Sequence, residues 1–399
     1  MVCLSSDMVP RPAAPVAPER ANGAAVKQRN AAAHGVYRPN RGPAPFMRSP
    51  DYVQMSTAAA ITLGLQPGLM HRCACTRCLN LLLTYPEGCR ANCAYCGLAR
   101  HREERRDYAD RNFIRADWPA APLAEVIARV GEQGAATPFH RMCISMITHP
   151  RSDADTKTVL KAWTDRIAPA QVPVSILSNP TTMSRADVVA LKELGAEIFT
   201  VALDACTPEI FDRTRGRGVG SPHRWTKYWE IFEEAVDIFG PEKIGMHLII
   251  GMGESEYQAL SVVERVRDRG GHSHLFCFFP EQGSLMDHLP ATPREQWRRV
   301  QLARYLIDYR GLRLDQMRFD EAGRIVDFGL PAWELEEVID LGVPFRTSGC
   351  PGKFAPDISA CDRPYGDSPP RDIASYPFQP GRRDLRRIRR QLGKPERSA

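Results

Sequence analysis

Six short apolar runs punctuate the middle of the chain, at residues 81–85, 141–147, 173–177, 197–203, 244–250 and 274–279. Each is rich in Ile, Val, Leu or Phe and has no polar alternation, the pattern of strands buried on both faces. Between and after them, apolar positions recur at helical spacing over 123–130, 154–167, 185–194, 225–239, 256–269 and 293–308. Six strand–helix alternations without hairpin signals predict an α/β protein with a parallel sheet and right-handed crossovers. Six units are too few for a closed eight-stranded barrel. The expected architecture is therefore a partial (β/α)6 TIM-like barrel, open on one side, with N- and C-terminal extensions.

The flanks read differently. Residues 1–50 are rich in Pro and Ala and lack periodicity, which predicts a disordered segment. Residues 51–80 form an N-terminal extension and 81–310 the barrel. Residues 311–381 form a C-terminal extension, with a helix expected over 333–341 and Pro- and Gly-rich sequence after it. Residues 382–399 form a basic tail.

The chain has 399 residues, 43% of them apolar, and a formal net charge of +6. No run approaches the ~18 apolar residues of a membrane span. The first 30 residues lack the apolar core of a signal peptide. Both point to a cytoplasmic protein away from the membrane. The charge is modest and concentrated at the ends, so nucleic acid is not an expected partner. The densest basic run, residues 382–390, reads either as a solvated helix face or as a dock for an acidic protein.

Twelve cysteines change the picture more than the charge does. Without an export signal they are not expected to form disulfides. Three stand at 73, 75 and 78, three at 89, 93 and 96, and two at 350 and 361, while Cys3, Cys143, Cys206 and Cys277 stand alone. The set Cys89-x3-Cys93-x2-Cys96 lies just beyond the first predicted strand, where parallel barrels place their sites. Three thiolates on one loop hold three corners of a [4Fe–4S] cube and leave one iron open for a cofactor or substrate. Zinc is the alternative, but it usually takes a fourth protein ligand and C-x2-C pairs.

This triad, with Tyr95 just before its last cysteine, resembles the signature of the radical S-adenosylmethionine (SAM) superfamily. The resemblance covers residues 80–310. It implies that Cys89, Cys93 and Cys96 bind a [4Fe–4S] cluster whose open iron is chelated by SAM, with Tyr95 near the adenine. It further implies polar contacts to SAM from Ser178 and Asn179, a ribose contact from Asp204 and a carboxylate partner in Arg215. The stretch from Ile249 to Glu254 resembles an adenine-packing element that includes Gly251 and Glu254. His247 stands where that element usually begins with glycine. Taken alone, His247 reads as a buried core residue.

Cys73, Cys75 and Cys78 lie eleven residues before the triad and suggest a second metal centre, with Cys350 or Cys361 as a further ligand. The arrangement is similar to lipoyl synthases, which carry a three-cysteine motif upstream of the triad and an Arg-Ser-Ser stretch near the C-terminus. Here the stretch is Arg346-Thr347-Ser348, followed by Gly349-Cys350. The upstream spacing is tighter than theirs, and Cys350 and Cys361 are additional. These departures resemble the split lipoyl synthases, in which two radical SAM proteins act together. The resemblance implies a second [4Fe–4S] cluster on Cys73, Cys75, Cys78, Ser348 and Cys350, and sulfur insertion into a protein-bound octanoyl chain. It implies as partners a ferredoxin or flavodoxin, an acyl-carrier or lipoyl-domain protein, and a second radical SAM protein. A radical SAM enzyme whose second cluster only relays electrons or anchors substrate is the competing reading.

Overall fold

The computed structural model describes residues 47–102, 117–353 and 355–394. The segment expected to be disordered lies, up to residue 46, outside the described residues. A strand β1 (Tyr52–Met55) and a short helix α1 (Thr57–Thr62) lead into β2 (Cys78–Leu83), followed by β3 (Ala120–Pro122) and α2 (Leu123–Gln133). Strand and helix then alternate through β4 (Arg141–Ser145), α3 (Ser152–Thr164), β5 (Val174–Ser178), α4 (Arg185–Glu193) and β6 (Ala196–Asp204). After α5 (Pro208–Thr214) and α6 (Trp225–Phe239) come β7 (Ile244–Ile250), α7 (Glu256–Asp268), β8 (His272–Cys277) and α8 (Arg294–Arg310). A small hairpin of β9 (Arg318–Phe319) and β10 (Ile325–Asp327) precedes α9 (Ala332–Leu341) and α10 (Arg382–Gln391).

The main sheet runs β3-β1-β2-β4-β5-β6-β7-β8. From β2 to β8 every pairing is parallel, as the six apolar runs predict. β1 and β3 add two antiparallel strands at the β2 edge. They extend the six-stranded parallel core that the sequence predicts. Both are short, and β3 ends at a proline, so neither carries an apolar run long enough to stand out. Among the described residues the edges β3 and β8 do not pair, so the sheet is not closed, as expected for a partial barrel.

Local sequence accounts for the helices. α2 buries Leu123, Val126, Ile127 and Val130, an i, i+3, i+4, i+7 stripe facing the sheet. α4 and α7 each begin at a serine capping box, Ser184 with Asp187 and Ser255 with Gln258. The barrel strands divide by parity. On β2, Leu79, Leu81 and Leu83 are buried in the core, while Cys78, Asn80 and Leu82 line a central cavity. On β4, Met142 and Ile144 are fully buried, and Arg141, Cys143 and Ser145 face the cavity.

The C-terminal extension closes the N-terminal end of this cavity. Cys361 accepts from Asn80 of β2, Pro351 O accepts from Arg141 of β4, and Cys350 meets Thr200 of β6. Ser348 Oγ accepts from the Leu275 backbone of β8 at 2.7 Å. The basic run forms α10 and is anchored on one side: Asp384 pairs with Arg72, and Arg389 with Glu336 and Asp340. Arg382, Arg383 and Arg386 remain exposed.

Candidate active site

The cavity has a volume of about 680 Å³ and opens at the C-terminal ends of the strands. Cys89, Cys93 and Cys96 line it there, on the loop that follows β2. Backbone hydrogen bonds fix this loop: Arg90 N donates to Thr148 O at 2.8 Å and Ala94 N to Thr214 O at 2.7 Å. Asn92 supplies side-chain anchors. Its Nδ2 donates to Val219 O at 2.9 Å, and its Oδ1 accepts from His101 N at 3.1 Å. Its backbone N–H donates to Ser221 Oγ at 2.6 Å. The sequence reading passed over Asn92, whose only signal is its place between two triad cysteines. Cys96 Sγ accepts from Leu98 N at 3.4 Å, a donor suited to a thiolate. Burial pushes the Cys93 thiol up to about 12. A charged ligand must therefore compensate for desolvation if the thiolate is to persist here.

Asp204 ends β6 with φ of +65°, a conformation that costs a non-glycine residue energy and marks functional positions. Its carboxylate accepts from Tyr95 OH at 2.6 Å and pairs with Arg215 Nη1. Arg215 Nη1 also donates to Tyr95 OH at 2.6 Å, and Nη2 donates to Tyr228 OH at 3.0 Å. Tyr228 OH in turn donates to Asn179 Oδ1 at 2.7 Å. Burial opposes the Arg215 charge, but Tyr228, Tyr95 and Asp204 more than restore it, so the guanidinium stays charged. Tyr95, Ser178, Asn179, Asp204 and Arg215 all line the cavity beside the triad. Ser178 spends its hydroxyl on Thr200 O at 2.9 Å.

Gly251 and Glu254 do not line the cavity. Glu254 is buried and folds back on its own turn, accepting from Gly251 N and, at 3.0 Å, from Met252 N. Gly251 has φ of +106°, and a Cβ there would collide with Thr292, which itself donates to Ile250 O at 2.8 Å. Gly251→Ala is expected to destabilise the fold by about 2–4 kcal/mol, from left-handed backbone and overpacking together. A fall in Tm measures it, and an unchanged Tm would remove the turn from this account.

A second thiol group occupies the other end of the cavity. Cys78, Cys143, Cys350 and Cys361 all line it. Asn80 Nδ2 reaches both the Cys78 and the Cys361 sulfur, at 3.6 and 3.9 Å. The neighbouring Cys78 thiol, aided by Arg363 and Asn80 and opposed by burial, holds Cys361 below the usual thiol range. Burial raises Cys143 and Cys350 instead. Two of the residues assigned from the sequence to a second centre line this cavity. Cys78 and Cys350 meet in the cavity, Cys75 does not line it, and Cys73 closes a short turn (His71–Cys73). Ser348 is engaged by the Leu275 backbone.

His247 and His274 line the same cavity, with ring centroids 5.1 Å apart. Burial holds both imidazoles well below their usual range, so they are neutral. His247 thus faces the cavity, where the sequence suggested a core position. Among the described residues, no three His, Cys, Asp or Glu side chains converge on one point as a single ion requires. A zinc centre demands that convergence. A cluster does not, because each thiolate takes its own iron.

Residues 83–270 match the family described as Radical SAM superfamily. No curated protein sequence matches the chain. Similar solved structures include the methylornithine synthase PylB, at 13% identity and TM-score 0.41, covering 58% of this chain and 61% of that one. Another is HydG, a maturase of the [FeFe]-hydrogenase, at 13% identity and TM-score 0.46, covering 63% and 53%. A third is the radical S-adenosylmethionine methyltransferase TsrM from Kitasatospora setae, at 16% identity and TM-score 0.34, covering 52% and 38%. The chain thus spans less than two thirds of the length of each.

Proposed function

We propose that this protein, whose residues 83–270 match the family described as Radical SAM superfamily, holds a [4Fe–4S] cluster on Cys89, Cys93 and Cys96, binds SAM against it and uses the radical chemistry this pair supplies to insert sulfur into a protein-bound octanoyl chain. One observation carries the sulfur-insertion reading: a second group of thiols faces the same cavity as the triad. Held by Cys89, Cys93 and Cys96, a cluster with SAM would supply reductive one-electron chemistry at the sulfonium, drawing its electron from an external donor, and with it hydrogen abstraction from an aliphatic carbon.

The chain's own residues do the rest. Arg215 offers a fixed, charged fork to a carboxylate, and Asp204 offers an acceptor to ribose hydroxyls. Leu82, Leu177, Ala202, Ile249 and Phe276 give the cavity apolar walls suited to an alkyl chain. Those walls also exclude water from a reactive radical. The neutral His247 and His274 add no charge against which an apolar chain would have to be desolvated. The exposed arginines of α10 support docking of an acidic acyl-carrier or lipoyl domain. A ferredoxin or flavodoxin as electron donor and a second radical SAM protein as co-worker complete the proposal.

The test uses the full chain, reconstituted anaerobically with iron and ³⁴S-labelled sulfide, then given SAM, a reductant and an octanoylated carrier domain. Release of 5′-deoxyadenosine and a carrier carrying ³⁴S are expected. Release of 5′-deoxyadenosine with the carrier's carbon skeleton altered but no sulfur gained would leave the electron-relay reading in its place. No release with any reductant would sink both.

A further inference from the structure

The two thiol groups were brought to one cavity by different means. The triad sits on a single loop. The second group is assembled from β2, β4 and the C-terminal plug, and each member reaches the cavity for a stated reason. Cys78 opens β2 and is in register with Arg141 of β4. Asn80, two residues on and facing the same way, is in register with Cys143. Cys350 arrives because the plug is pinned at Ser348 to Leu275 and at Pro351 to Arg141. Cys361 follows because a Cβ on Gly349 would lie 2.7 Å from Cys361 Cβ, so only glycine lets the two arms of the plug approach so closely.

All four sulfurs belong to residues that line the same cavity. Donors surround them. Asn80 Nδ2 faces Cys78 and Cys361, Thr200 Oγ1 lies 3.7 Å from Cys350 Sγ, and the Ser175 hydroxyl also reaches Cys350. Such contacts orient ligands and temper their charge. Two cations flank the group. Arg141 Nη1 donates to Ser175 Oγ at 3.2 Å. Arg363 lies over the Phe276 ring at 3.6 Å, with its buried Nη1 lacking any hydrogen-bond partner. An unpartnered guanidinium N–H in the cavity that holds these thiols is costly unless something anionic accepts it. The His274 imidazole, fully buried with Nδ1 likewise unpartnered, lines the same end.

We infer that Cys78, Cys143, Cys350 and Cys361 together ligate a second [4Fe–4S] cluster at the N-terminal end of the barrel, with Arg363 donating to its sulfides. Four cysteines match the full ligand count of a cube. No iron is then left open, so the group supplies sulfide or electrons and does not bind substrate through iron. Cys143 and Cys361 replace Cys73 and Cys75 in the ligand set, and Ser348 holds the plug. This deepens the sulfur-donor reading and rests on it for the fate of the sulfide, but not for the ligands.

The test removes the triad first. The full chain carrying Cys89→Ala, Cys93→Ala and Cys96→Ala is reconstituted anaerobically with iron and sulfide. It is expected to retain about four irons and about four acid-labile sulfides. Adding Cys143→Ala and Cys361→Ala is expected to remove them, whereas adding Cys73→Ala and Cys75→Ala leaves them in place. A second measurement needs no further variant. In the reconstituted wild-type chain, alkylation mapped by mass spectrometry is expected to spare Cys78, Cys143, Cys350 and Cys361 while labelling Cys73 and Cys75. Iron lost with Cys73 and Cys75 but kept without Cys143 and Cys361 would overturn the assignment. So would zinc without sulfide, a Cys78–Cys361 disulfide that survives reductant, or alkylation of all four. None of these outcomes touches SAM cleavage, which depends on the triad alone.

Discussion

Each of Cys89→Ala, Cys93→Ala and Cys96→Ala is expected to abolish release of 5′-deoxyadenosine while leaving the protein folded. A cube held at three corners has no spare protein ligand, so loss of one thiolate removes the cluster or the open iron that SAM requires. Stability has less at stake. Removing one sulfur from a loop fixed mainly by backbone bonds and by Asn92 costs about 1–2 kcal/mol. The measurement pairs iron counting with product analysis. About eight irons per wild-type chain are expected to fall to about four in each variant, with 5′-deoxyadenosine lost entirely. Asn92→Ala makes a useful contrast: it keeps all three thiols but frees the loop, so SAM cleavage is expected to slow rather than vanish. A triad variant that still releases 5′-deoxyadenosine at the wild-type rate would end the proposal.

The triad was legible because its three cysteines lie within eight residues of one loop, just beyond a predicted strand. The resemblance grouped Ser178, Asn179, Asp204 and Arg215, and the structure brings all four to one cavity, because parallel barrels deliver strand ends to one rim. Gly251 and Glu254 show the limit. Their motif is real as a turn, yet their backbone hydrogen bonds face inward on that turn. The second thiol group was the least legible. Its members are separated by up to 283 residues, and the β2 run was placed three residues late, starting at Leu81 instead of Cys78. With the true start, the parity of Cys78, Asn80 and Leu82 points to the cavity. The same parity argument, applied to Cys143 two residues into β4, would have singled it out from the lone cysteines. No sequence pattern foretells where the plug of residues 346–363 enters the barrel, because its contacts are all tertiary.

The second large effect concerns Asp204 and Arg215, whose side chains are 13% and 7% exposed. Removing one member of such a pair strands a buried charge, at a cost of about 3–5 kcal/mol. Arg215→Met and Asp204→Asn are each expected to lower Tm by several degrees. Arg215→Met also leaves Tyr95 and Tyr228 without their donor. The double variant removes the charge problem with its cause, so its Tm is expected above that of either single variant, a coupling of at least about 1 kcal/mol. SAM binding is expected to follow the opposite logic. All three variants lose affinity, the double included, because the carboxylate partner and the ribose acceptor are gone. Arg215→Lys separates charge from shape: the fold is largely kept, while a point charge cannot serve Tyr95, Asp204 and Tyr228 at once. Its SAM affinity is expected to fall about tenfold or more, at least about 1.4 kcal/mol. Calorimetric titration of SAM against the reconstituted protein measures this. If the double variant regained both stability and SAM affinity, the pair would be a structural strut alone, and the SAM carboxylate would have to be held elsewhere.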